Sequence, residues 1–136
     1  MATRILVIED NPESLELMTY LLRAYGYATL SAADGEEGLK TVKNQVPDLV
    51  LCDLQMPAMD GYELARTFRQ DPRLAQLPLV AVTASAMKVD REKVMAAGFS
   101  GYIIKPIDVK EFVGEVEAFL APERRSSKKR ANGASA

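Results

Sequence analysis

The stretch Ile5-Leu6-Val7-Ile8-Glu9-Asp10-Asn11-Pro12 decides how the rest of this 136-residue chain is read. Four aliphatic residues in a row make a short strand of the kind buried in a parallel sheet. Two carboxylates end it, and Asn11-Pro12 then supplies a helix N-cap with proline at the first helical position. The pattern recurs downstream: Leu49–Cys52 ends in Asp53, Leu79–Val82 in Thr83, and Tyr102–Ile104 in Lys105. In a parallel sheet the carboxyl ends of all strands share one edge, so these polar residues converge although about a hundred positions separate the first from the last. Three carboxylates, a hydroxyl and an ammonium at one spot suggest a divalent cation and a phosphoryl group.

Between the strands the apolar spacing turns helical. Leu15, Met18, Leu22 and Tyr25 form one stripe ending at Gly26, and Ala28–Ala32 reads as the second strand. Leu39, Val42 and Val46 mark a second helix closed by Pro47, and the third strand is expected at Asp48–Cys52. A third helix follows Gly61 with Leu64, Ala65 and Phe68 inward, and a fourth runs from about Lys88 to Ala97, stopping at Gly98. Asp108 and Glu111 form a capping-box-like pair for a fifth helix whose inward face is Val109, Phe112, Val113, Val116, Phe119 and Leu120. Five strands alternating with five helices imply an α/β three-layer sandwich around a central parallel sheet, because right-handed crossovers put helices on both faces.

Composition narrows the function classes. At 48% hydrophobic and 26% charged, the chain is an ordinary globular sequence with one core. No apolar run approaches the roughly 20 residues of a membrane helix, and the first residues lead into a strand and not into a signal peptide, so a cytoplasmic protein is expected. It has no histidine, which excludes a histidine base, a histidine metal ligand and a phosphohistidine of its own. The single Cys52 lies in an apolar run and reads as a small buried hydrophobe. Residues 1–122 carry 12 Lys and Arg against 18 Asp and Glu, net −6, whereas residues 123–136 carry 5 against 1, net +4. The first segment is read as the folded domain. The second has no large apolar residue to offset the entropy of ordering and is expected to be a disordered basic tail.

The strand-end residues carry specific chemistry. Adjacent acids such as Glu9 and Asp10 repel unless a cation lies between them, and hard oxygen ligands suit magnesium. Asp53 is the candidate nucleophile: a carboxylate attacks phosphorus in line once a metal and an ammonium neutralise the repulsion, and Lys105 supplies the ammonium. Lys105-Pro106 is a candidate cis step that aims the lysine across the strand ends. Thr83 offers a hydroxyl to a phosphoryl oxygen, with small Ala84 leaving room beside it. Tyr102 reads either as an ordinary amphipathic strand residue or as a ring that swings inward when Thr83 is pulled toward a phosphate.

Taken together, Glu9-Asp10, Asp53 with Met56-Pro57 and Gly61, Thr83-Ala84 and Lys105-Pro106 resemble the receiver domains of two-component response regulators, over about residues 4–121. The resemblance implies a flavodoxin-like (βα)5 fold with strand order 2-1-3-4-5, an order the receiver fold is known for. It implies that Asp53 accepts a phosphoryl group from a histidine kinase or phosphotransfer protein and becomes a 4-aspartylphosphate. Asp10, Asp53 and the backbone carbonyl of Gln55 would hold Mg2+, with Glu9 acting through metal-bound water. Thr83 and Tyr102 would be the switch that remodels the surface of helix four, strand five and helix five toward a downstream target protein. Such a protein catalyses only its own phosphorylation and dephosphorylation. The 14 residues after helix five are too few for a DNA-binding domain, so a stand-alone receiver is expected.

Three other readings share parts of this pattern. A haloacid-dehalogenase-type phosphatase needs an acid two residues past its nucleophile, where this chain has Gln55. A flavin carrier of the same architecture needs a neutral phosphate-cradling loop where Glu9-Asp10 stand. A constitutive protein-interaction module on a receiver-like fold has no need of the full acid set, and magnesium-dependent labelling by acetyl phosphate separates it from the switch.

Overall fold

A computed structural model describes residues 2–56, 59–84 and 91–126. Its strands are β1 (Arg4–Ile8), β2 (Ala28–Ala32), β3 (Leu49–Asp53), β4 (Leu79–Thr83) and β5 (Gly101–Ile104). They alternate with the helices α1 (Pro12–Ala24), α2 (Gly35–Asn44), α3 (Gly61–Gln70), α4 (Arg91–Ala97) and α5 (Phe112–Glu117). The five strands form one sheet in the order β2-β1-β3-β4-β5, and every neighbouring pair is parallel. This is the expected flavodoxin-like order.

Alternate side chains of each strand point to opposite faces, which splits the core in two. Leu6, Ile8, Val50, Cys52, Leu79 and Ala81 face α2, α3 and α4, where Val42, Leu64, Phe68 and Val94 pack on them. Ile5, Val7, Leu49, Leu51, Val80, Val82 and Ile103 face α1 and α5, against Met18, Leu22, Phe112, Val113 and Val116. Cys52 is a free buried thiol, as its apolar run suggested, and burial pushes its pKa far up. Among the described residues no helix is long and apolar enough to cross a membrane.

The helix signals do what their chemistry predicts. Asn11 Oδ1 accepts from the Ser14 amide at 3.0 Å with Pro12 opening α1, and Asp60 Oδ1 accepts from Glu63 at 2.9 Å to start α3. Gly26 and Gly98, read as stops, both take positive φ, at 95° and 113°. Arg69 on α3 then secures the turn after α4, donating to the carbonyls of Gly98 and Leu74 at 2.8 Å each.

Four expectations change at the boundaries. β3 begins at Leu49, one residue later than read, because Asp48 accepts from the Arg4 amide through its side chain at 2.8 Å. Val46 is 47% exposed, since α2 ends at Asn44 and Gln45 is already extended. Val109 is 54% exposed, because Asp108 caps a turn ahead of α5 by accepting from Lys110 and Glu111 amides, and the helix proper begins only at Phe112. The start of the basic segment is ordered: Pro122–Arg124 form a 3-10 turn, and Arg124 pairs with Asp48 at 2.8 Å. Residues 127–136 and the expected start of α4 at Lys88 lie outside the described residues.

Candidate phosphoacceptor and metal site

Each candidate group reaches the site because its strand ends there. Ile8 is paired with Cys52, so Glu9 and Asp53 leave adjacent strands at the same level. Asp53 is paired with Val82 and Thr83 with Ile104, which sets Thr83 and Lys105 one and two strands further along the same edge. The Lys105 amide donates to the Thr83 carbonyl at 2.7 Å, and the Lys105-Pro106 bond is cis, as expected. From there the lysine stem reaches back over β4: its Nζ lies 2.7 Å from Glu9 Oε1 and 3.7 Å from Asp53 Oδ2.

Burial makes this cluster electrostatically tense. Glu9 is 1% exposed, and Asp53 and Thr83 are 8% exposed each, while Asp10 is open to solvent. One oxygen from each of Glu9, Asp10 and Asp53 falls within a common 4.8 Å. Burial pushes the Glu9 carboxyl up to about 7, against the pull of the Lys105 ammonium, with the neighbouring Asp53 adding to the rise. Glu9 Oε2 accepts from the Asn11 amide at 3.2 Å. Glu9 Oε1 lies against the Lys105 ammonium, its charged partner, at 2.7 Å. Three carboxylates within ligand distance of one another, with one lysine between two of them, fit a hard divalent cation, which takes oxygen ligands and lowers the repulsion among them.

Asp53 is held for use. Its Oδ1 accepts from the Gln55 amide at 3.0 Å, fixing the carboxylate from the loop that follows β3. Gln55 is exposed beside it. Thr83 and Ala81 are two residues apart on β4 and so share a face of the sheet, the face on which Tyr102 packs against the Ala81 cluster. The structure thus gathers Glu9, Asp10, Asp53, Gln55, Thr83 and Lys105 at one edge. Tyr102 stands further back, paired with Ala81 in the body of β5.

Two features were not anticipated from sequence. Lys105 is closer to Glu9 than to Asp53, which strand order alone does not reveal. Gly61 touches the backbone of Asp53 and Leu54, a proximity set by how the intervening loop closes.

A family model for the response regulator receiver domain matches residues 5–117. The chain belongs to that family. The polar-differentiation response regulator DivK of Brucella ovis is 36% identical to this receiver over 120 residues, covering 88% of this chain and 98% of DivK. Among solved structures, a putative response regulator from Chloroflexus aurantiacus superposes with a TM-score of 0.83 at 31% identity, over 88% of this chain and 98% of that one. The receiver domain of sensor histidine kinase PA1611 from Pseudomonas aeruginosa, solved with a magnesium ion coordinated in its active-site cleft, gives a TM-score of 0.80 at 31% identity, with coverage of 88% and 98%. This protein is therefore a receiver of two-component signalling, with an acidic cluster able to hold Mg2+.

Proposed function

We propose that this receiver is a phosphorylation-activated cytoplasmic switch whose acceptor is Asp53. The observation that carries the reading is the position of the Asp53 carboxylate, 3.7 Å from the Lys105 ammonium and clustered with Glu9 and Asp10 at one strand edge. The donor is the phosphohistidine of a histidine kinase or phosphotransfer protein. In the transfer, an Asp53 oxygen forms a bond to phosphorus as the bond to the donor nitrogen breaks, and the electron pair leaves with the histidine.

Asp10, Asp53 and the Gln55 backbone carbonyl would hold Mg2+, with Glu9 acting through a metal-bound water. Bound there, Mg2+ neutralises charge between the carboxylates and the phosphoryl oxygens. Lys105 shares that work from the other side, and Thr83 donates its hydroxyl to a phosphoryl oxygen of the product. Drawing Thr83 forward biases Tyr102 and the surface of α4, β5 and α5 toward a second arrangement that a downstream protein recognises.

Intact-mass analysis after incubation with acetyl phosphate and Mg2+ tests the acceptor. A single phosphoryl adduct is expected on the wild type and none on Asp53→Asn. An adduct that persists in the variant refutes the assignment, and its absence from both proteins favours a constitutive interaction module.

A further inference from the structure

We infer that Gly61 is a positioning residue for the phosphoryl acceptor: because it lacks a Cβ, the first turn of α3 rests directly on the backbone of Asp53 and Leu54. This deepens the assignment of Asp53 as acceptor and rests on it. An alanine Cβ at this position would lie 2.7 Å from the Asp53 carbonyl oxygen and 2.9 Å from the Leu54 Cα, with Leu54 Cδ2 at 3.3 Å. The two closest atoms belong to the main chain and cannot rotate away. Gly61 is also buried, and its amide donates to the Leu54 carbonyl at 3.1 Å, closing the loop that left β3.

The demand is for space and not for an unusual backbone. Among the described residues positive φ belongs to Gly26 and Gly98, so an alanine at Gly61 keeps a permitted conformation yet collides. Relieving the collision means parting α3 from the Asp53–Leu54 peptide. That peptide is one link from the Gln55 amide that holds Asp53 Oδ1 at 3.0 Å. A displacement passes to the nucleophilic carboxylate and to the Gln55 carbonyl proposed as a metal ligand. Misplacing a reacting group by about 1 Å costs up to about 10²-fold in rate.

Gly61→Ala is to be compared with wild type in the rate of phosphorylation by acetyl phosphate at saturating Mg2+, and in Mg2+ affinity by calorimetric titration. Val42→Ala, a core truncation near the far end of α2, serves as a control for lost stability. The expected result is phosphorylation about 10- to 100-fold slower and Mg2+ bound severalfold more weakly in Gly61→Ala, while Val42→Ala stays at the wild-type rate. Values within twofold of wild type in Gly61→Ala, or equal slowing in both variants, overturn the inference. If Gly61→Ala does not fold, Asp60→Ala and Asp60→Asn decide it: both remove the charge, but only asparagine keeps the cap that anchors the start of α3. Slower phosphorylation in the alanine variant supports the inference and equal rates overturn it. If the wild type itself carries no adduct on Asp53, the acceptor reading fails, and the Mg2+ titration of Gly61→Ala still settles whether Gly61 shapes the cluster.

Discussion

Lys105 is one cation shared between two acids of different accessibility, 2.7 Å from buried Glu9 and 3.7 Å from Asp53. Removing it leaves Glu9 without a counter-charge, and breaking a buried pair from one side is costly. Lys105→Met is expected to lower unfolding free energy by about 1–3 kcal/mol in urea titrations. Saturating Mg2+ should recover part of that loss, because a ligand bound to the native state alone stabilises it. No recovery would place the cation elsewhere. Thr83 tests the step after transfer. Thr83→Ala keeps Asp53 and Lys105, so it should still be phosphorylated, yet lose most of the gain in partner affinity that phosphorylation brings. Coupling of about 1–3 kcal/mol corresponds to roughly 5- to 150-fold in that gain, and equal gains in the two proteins would exclude Thr83 as the coupling element.

Elements divide by how much of their signal is local. Four of the five strands were legible because each is an apolar run with a polar terminator, α1 because Asn11 caps it ahead of Pro12, and α3 because Leu64, Ala65 and Phe68 keep helical spacing after Gly61. Helix α5 was half legible. Its stripe names Phe112, Val113 and Val116 correctly, yet Val109 fits the same spacing and sits in a capped turn outside the helix. Periodicity cannot tell where a helix begins when a preceding turn continues its rhythm. The gathering of the site residues was likewise readable, since parallel strands have one carboxyl edge. The Glu9–Lys105 pair was not, because it joins segments far apart in sequence, and the Gly61 contact was not, because it depends on how the start of α3 settles against the end of β3. The two residues of α5 give a direct contrast: Phe112→Ala is expected to cost about 3–5 kcal/mol by chemical denaturation and Val109→Ala less than about 0.5. Similar costs would mean that the turn packs as the helix does.

At the scale of the whole molecule, the amino edge of the sheet is fastened by the segment after α5. Arg124 pairs with Asp48, its carbonyl accepts from the Thr3 hydroxyl, and Arg125 Nε donates to the Glu117 carbonyl at 2.9 Å. The Tyr27 hydroxyl donates to Glu117 Oε2 at 2.5 Å and accepts from the Ser126 amide at 2.9 Å. Burial, followed by the Glu117 carboxylate, raises the Tyr27 phenol from 10.0 to about 12. A raised pKa means that the fold prefers the protonated phenol. The stability this contributes is complete below pH 10 and is lost as pH climbs through 12. Wild type should therefore lose more stability than Tyr27→Phe between those values in parallel urea titrations, and parallel curves would show that the phenol is not held this way.

The clasp gives the molecule two poles with separate duties. Thr3, Tyr27 and Asp48 immediately precede or open the strands, so Ser126 leaves the body at the end opposite the acidic cluster. The clasp and the acidic cluster therefore occupy opposite edges of the sheet. The strands thus keep the carboxylate cluster and the point where the chain leaves the clasp apart by their full length.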